Sequence, residues 1–439
     1  MSLRPTDSHF KRVMSPPLSL VILATLTPNV HKVVIADENT DRLNLNDRPD
    51  IVGITVNIDT SLRAFEISAA YRAKGVPVVF GGIHASANHE MMLDHCDSVV
   101  VGEAEMVWKT LLNDAAAGKL RPVYKNPDVT DLYKVPQPDW SYINVHKYLY
   151  SNVVVASRGC PYKCNFCYNS SSFVTSPFRN RPYGNVIDEI RSLSTRQVMF
   201  IDDNFIGNVK WTKQFIKLIT PLGLSWHAAV SADIFHHKDL IDDFVASGCK
   251  SLFIGFESIN SESVRMAGKR QNRVEEYEKL ISLLHSKGIM VNASLVFGFD
   301  NDTRSVFADT LNWLVKNRVE TMTAHILTPY PGTFFYSELK EQGRIISDDV
   351  TKFNTSQVVF MPKNMSPDEL YEGYLDMYRK FYSWKNIIKR RPLNKKITIP
   401  YFLFNLGYRK FGKVTSFIGR FGLMHSLGRL ARRISYGVQ

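Results

Sequence analysis

Short apolar runs alternate with amphipathic segments twice along this chain, and the alternation leaves few folds open to it. From about residue 18 to 116, "KVVIADE", "DIVGITV", "PVVFGG" and "DSVVVG" read as buried parallel strands, and "SLRAFEISAAYRAKG" reads as an amphipathic helix closed by Gly75. This order predicts an α/β unit, a doubly wound Rossmann-like sheet. Residues 120–150, with "RPVYKNPDV" and "YKVPQPDW", are rich in Pro and Asp and read as a linker. A second series follows from 151 to about 335: "NVVVAS", "QVMFIDD", "SWHAAVSA", "SLFIGFES", "MVNASLVFGF" and "MTAHILTPY", separated by helical segments such as "KWTKQFIKLI" and "KDLIDDFVASG". Six βα units predict a partial (β/α)6 TIM-like barrel with its site at the carboxyl ends of the strands. The expected organisation is therefore 1–119 sheet domain, 120–150 linker, 151–335 barrel, 336–391 helical extension and 392–439 basic tail.

Three of the five cysteines fall within "SRGCPYKCNFCYN", directly after the first barrel strand. Met1 is followed by "SLRPTDSHFKRV", which lacks the apolar core of a secretory signal, and no apolar run reaches the ~18 residues that span a bilayer. The expected compartment is the cytoplasm, where thiols stay reduced and a cysteine cluster points to metal or redox chemistry. Cys160, Cys164 and Cys167 are spaced C-x3-C-x2-C, so one loop could wrap one inorganic centre. Structural zinc would need a fourth ligand, and neither Cys96 nor Cys249 lies in a matching pair. On a 4Fe-4S cluster, three thiolates would leave one iron free to bind a small molecule. Cys96 in "DHCDS" and Cys249 in "SGCKS" sit beside apolar sequence and read as small buried thiols.

The cysteine spacing, with Phe166 before the last thiol, resembles the radical S-adenosylmethionine (SAM) superfamily. In that family the open iron chelates SAM, and an electron from the cluster cleaves it to a 5′-deoxyadenosyl radical. Other strand ends match the resemblance: "FIDDNF" with Asp202 and Asp203, where the family holds the SAM amino group, "VSAD" with Ser231, "GFES" with Glu257, and "VFGFD" with Gly298. An external electron donor such as flavodoxin or ferredoxin is implied.

Ahead of the barrel, "PPLSLVILAT", "GGIHAS" and "VGEAE" resemble the cobalamin-binding class of the superfamily, and the likeness runs from about residue 16 to 380. The resemblance implies a corrin held over the barrel mouth by loops that include Thr55, Gly81, Gly82, His84 and Gly102. The motif D-x-H-x-x-G, which supplies a lower cobalt ligand in many cobalamin proteins, is absent, since "DSHFKR" has Arg12 where Gly is needed. The stretch before "PPLSL" shows no recognisable first strand.

Charge is very uneven. The chain carries +12, yet after Asp376 there are 15 Lys and Arg and no acid, so residues 1–376 carry −3. A nucleic-acid enzyme spreads basic residues over its catalytic body, so the balance argues against that class. Ser366 opens a capping box and a long amphipathic helix in "SPDELYEGYLDMYRKF". Beyond Arg391, Lys and Arg interleave with Phe, Leu and Ile, which predicts peripheral contact with an anionic membrane surface, at about 1 kcal/mol per basic residue. Members of the class that act on lipids, hopanoids or porphyrin esters would benefit from such a tail. The sequence thus points to a cobalamin-dependent radical SAM enzyme methylating an unactivated carbon of a hydrophobic metabolite. Cobalamin-assisted oxidation or cyclisation of a tetrapyrrole is the second reading, and a non-catalytic iron–sulfur protein the third.

Overall fold

The structure, a computed structural model, describes residues 15–126, 128–148, 150–171, 177–394 and 397–407. Its first domain is a parallel sheet of β1 (Val52–Thr55), β2 (Val78–Gly81), β3 (Ser98–Val101) and β4 (Val123–Lys125), in that order across the sheet. The apolar runs are buried on both faces. Val78, Phe80, Val99 and Val101 pack against the helix Ser61–Arg72, and Val79 and Val100 against the helix Trp108–Ala116. A sheet covered on both sides needs continuous apolar strands, which is what these segments supply.

Two expectations for this domain are corrected. "KVVIADE" is not a strand: residues 32–38 run without a sheet partner, and Val34 is 78% exposed. An apolar β-branched run forms a strand only beside another strand, and β1 pairs with β2 alone among the described residues. The stretch 120–150 is not all linker, because Val123–Lys125 pairs with β3 and carries a buried Tyr124 whose hydroxyl donates to Asp114 at 2.8 Å. The first strand sought before "PPLSL", and the "DSHFKR" stretch, fall in 1–14, outside the described residues.

The second domain is a six-stranded parallel sheet of β5 (Val153–Val154), β8 (Gln197–Phe200), β9 (Ser225–Ser231), β10 (Cys249–Glu257), β11 (Met290–Phe297) and β12 (Thr321–Ile326), adjacent in that order. All six strands stand where the sequence predicts them. Between β5 and β8, the short strands β6 (Ser157–Arg158) and β7 (Arg179–Asn180) form an antiparallel ladder that closes the neck of the cysteine-bearing loop. One large core joins the sheet to its helices and continues into the extension through Leu370, Tyr374, Met377 and Phe381.

The extension starts its helix Pro367–Phe381 with the expected box: Ser366 Oγ accepts from the Glu369 N–H, and Glu369 accepts from the Ser366 N–H at 2.9 Å. The boundary expected at 391/392 does not hold. Residues 397–407 pack on the barrel, with Tyr401 and Asn405 fully buried around the guanidinium of Arg390. The remainder of the basic tail, 408–439, lies outside the described residues. No helix among those described is long and apolar enough to cross a membrane.

Candidate active site

The carboxyl ends of both sheets face one cavity of about 290 Å³. The loop after β1 contributes Asn57, Ile58 and Asp59, and the loop after β2 contributes Ile83. The cysteine loop contributes Tyr168, the segment after β12 Tyr330, and the extension Phe353 and Asn354. Tyr168 and Tyr330 stack with centroids 4.7 Å apart.

The three thiols of Cys160, Cys164 and Cys167 are free and partly buried. Burial pushes all three up, Cys167 to about 12, while the Lys269 ammonium pulls Cys160 and Cys164 down. Among the described residues, no three His, Cys, Asp or Glu side chains converge on a single ion. A cubane takes each thiolate on a different iron and does not require convergence, so the donor set fits a cluster better than a mononuclear site.

Side chains at the strand ends hold this loop. Tyr162, between the first two cysteines, donates to Asp233; Ser231 Oγ donates to the other oxygen of Asp233 and accepts from Asn204 Nδ2 at 3.0 Å. On the opposite side the Asn165 N–H donates to Ala267 O at 3.0 Å and its amide to Met266 O at 2.9 Å. Gly268, at φ +70°, permits this approach, since a Cβ there would lie 2.9 Å from Asn165 Oδ1. Phe166 packs edge-on against Phe299, with centroids 6.3 Å apart.

The expected SAM residues separate into distinct settings. Asp203 is exposed, bonds to Asn169 in the cysteine loop, and acts electrostatically on Cys160 and Cys167. Asp202 is engaged elsewhere: it is buried and accepts from the Ala156 N–H at 3.1 Å and from Ser157 Oγ, fixing the turn from β5 to β6. Ser231 belongs to the network supporting Tyr162. Glu257 is buried beside Cys164 at φ +61°, a conformation unusual for a side-chain-bearing residue, and is paired with Lys269. Gly298 faces the extension, because a Cβ there would meet Leu370 Cδ2 at 2.9 Å. Its φ of +107° and this close packing each favour glycine here.

Lys269 escaped the sequence reading. It also donates to Gly255 O at 2.8 Å, and its burial beside the thiols comes from a turn 12 residues past Glu257, a spacing with no periodic signal. Tyr162 lies within "SRGCPYKCNFCYN" and Asp233 within "VSAD", but nothing in either motif marks the two side chains as partners 71 residues apart.

In the first domain, Thr55, Gly82, His84 and Gly102 come together at the carboxyl edge. A Cβ on Gly82 would sit 2.8 Å from Thr55 Oγ1, whereas Gly102 looks onto open space. Gly81 meets nothing closer than 4.0 Å and is not required as glycine for contact. His84 is 1% exposed, has Nδ1 3.2 Å from the Asn88 amide, and buries Nε2 without a partner. An orphaned buried donor and an open glycine at the carboxyl edge of a parallel sheet fit a large polar-rimmed ligand such as a corrin. Cys96 and Cys249 are buried in the two cores, as expected, with their thiols pushed up by burial.

Comparison with known proteins agrees with this geometry. The B12 binding domain family matches residues 13–112, the Radical SAM superfamily residues 154–314, and a domain of unknown function (DUF4070) residues 333–399. Bacteriochlorophyllide d C-12(1)-methyltransferase of Chlorobaculum tepidum is 32% identical over 396 residues, covering 87% of this chain and 86% of that protein. The C-8(2)-methyltransferase of the same organism is 28% identical, covering 86% and 88%. The radical SAM methyltransferase TsrM of Kitasatospora setae, solved with cobalamin and a [4Fe-4S] cluster, shares the fold with a TM-score of 0.69 at 16% identity, over 95% of this chain and 96% of that one. The chain belongs to the radical SAM enzymes that carry an N-terminal cobalamin-binding domain and use a [4Fe-4S] cluster, SAM and cobalamin.

Proposed function

We propose that the protein transfers a methyl group to an unactivated carbon of a hydrophobic metabolite, with a tetrapyrrole as the favoured substrate class. The observation that carries this reading is the shared cavity, where loops from the cobalamin-type sheet and the cysteine loop line one space. Likeness to two bacteriochlorophyllide methyltransferases supports the tetrapyrrole class. When bound, the cluster would supply the electron that cleaves SAM, and cobalamin the methyl group to be transferred.

The chain's residues then have separate tasks. Cys160, Cys164 and Cys167 would hold the cluster through their thiolates. Lys269 offers a cation beside Cys164 for the SAM carboxylate, with its charge steadied by Glu257, and Asp203 offers a carboxylate for the SAM ammonium group. Gly102 leaves room for the corrin face, and His84 Nε2 supplies a donor toward it. Ile58, Ile83, Phe353 and the Tyr168–Tyr330 pair exclude water from the space where a carbon radical would form. An external flavodoxin or ferredoxin delivers the electrons, and the basic residues past 407 give peripheral contact with an anionic membrane.

Anaerobic reconstitution with iron, sulfide, cobalamin and methyl-deuterated SAM, followed by incubation with chlorophyllides, tests the reading. The expected product carries one labelled methyl group. A product oxidised or cyclised without label would replace methylation with the second reading.

A further inference from the structure

The loop after β3 reaches across to the neck of the cysteine loop. Arg158 on β6 and Arg179 on β7 are direct cross-strand partners in the two-residue ladder that closes this neck. Like charges directly opposite each other destabilise a strand pair. Here carboxylates from the other domain compensate them. Glu103 takes Arg179 in a two-pronged grip, 2.6 Å to Nη2 and 3.0 Å to Nη1, and stands 3.4 Å from Arg158 Nη1, while Arg158 Nη2 donates to Glu105. All four side chains are largely shielded from water, so their pairing is weakly screened. Glu103 follows Gly102 on the carboxyl edge of the first sheet, the edge assigned above to the corrin, and Arg158 precedes Cys160 by two residues.

We propose that Glu103 is a positioning residue: it allows the neck of the cysteine loop to close only with the N-terminal domain docked, and so fixes the separation between the two cofactor sites. The proposal rests on the methyl-transfer reading above. A substrate radical must meet its methyl donor within a narrow range of distance, and an error near 1 Å costs about 100-fold in rate. With Glu103 lost, the two arginines repel, the neck loosens, and hydrogen abstraction proceeds without matching methyl transfer.

The test compares the full chain with Glu103→Gln and with the double exchange Glu103→Arg/Arg179→Glu. Before any cofactor is loaded, amide hydrogen exchange at 157–158 and 179–181 is expected to quicken about tenfold or more in Glu103→Gln, the loss of one charged hydrogen-bond pair. The double exchange is expected to restore protection. In the reconstituted enzymes, cluster content should be equal, while the ratio of 5′-deoxyadenosine to methylated product rises about tenfold or more in Glu103→Gln. Unchanged exchange in Glu103→Gln, or faster exchange with an unchanged ratio, overturns the proposal. If the unaltered enzyme methylates nothing, the functional reading fails by itself, and the exchange comparison alone decides whether Glu103 closes the neck.

Discussion

A chain ending at residue 391 should lose its extension, whereas one ending at 407 should keep it. Arg390 is fully buried, and burial lowers the pKa of its guanidinium. It donates to Val319 O at 2.6 Å, Glu320 O at 2.9 Å, Phe381 O at 3.0 Å and Asn405 Oδ1 at 3.0 Å, and lies 3.5 Å from the Phe381 ring centroid. Ending at 391 removes Asn405 and the buried Tyr401, whose hydroxyl donates to Ile387 O at 2.5 Å. Loss of a hydrogen bond to a buried charge costs about 1.5–3 kcal/mol, and loss of a buried aromatic about 3–5 kcal/mol. The sum, about 5–8 kcal/mol, rivals the whole stability of a domain, about 5–15 kcal/mol. Urea titration of the cofactor-free proteins, read by tryptophan fluorescence, should show the shorter chain partly unfolded without denaturant. Superimposable curves for the two chains would refute this account of the Arg390 anchor.

Replacing Cys160, Cys164 or Cys167 by Ala should abolish the cluster's visible absorbance and 5′-deoxyadenosine formation, while Cys96→Ala and Cys249→Ala keep both. Lys269→Met should weaken SAM binding about 10- to 100-fold by equilibrium dialysis, the loss of a charge-assisted contact, with cluster content preserved. Burial holds His84 at a pKa of about 4, below its ordinary 6.5, so between those values the unfolded chain binds a proton that the folded one does not. The stability tied to neutral His84 is therefore complete above pH 6.5 and falls by about 3 kcal/mol as pH drops toward 4, and His84→Gln should flatten that part of the stability–pH curve. Anionic vesicles should sediment the full chain but not one ending at 407, and salt should weaken the contact.

The two sheets were legible because buried parallel strands write continuous apolar runs, and all six barrel strands stand in theirs. The pattern fails where a strand depends on a partner. "KVVIADE" has the composition of a strand but no strand beside it among the described residues, and "VYK" at 123–125 is too short to signal alone yet completes the sheet. The cysteines were legible because their spacing lies within one loop. Lys269, Tyr162, Asp233 and Glu103 were not, since each acts through a contact made by the fold across unrelated segments. Asp202 and Gly298 show the converse: both occupy strand ends expected to touch SAM, and both are engaged in holding the chain itself.

The extension closes the site as well as the barrel. Phe353 and Val359 pack with Ile58 of the first domain, and Phe353 and Asn354 line the cavity. The Ile326 N–H at the end of β12 donates to Thr355 O at 2.7 Å, which fixes this wall to the last strand. In the function proposed above, the cluster and SAM would take their contacts from the barrel and cobalamin from the first sheet. The third wall is thus the part of the cavity free to vary without disturbing either cofactor. Substitutions at Phe353 and Asn354 should therefore shift which substrate is accepted, while leaving SAM cleavage and cobalamin binding intact. A loss of cobalamin on Phe353→Ala would mean instead that the extension supports the corrin, and that substrate selection lies deeper in the barrel.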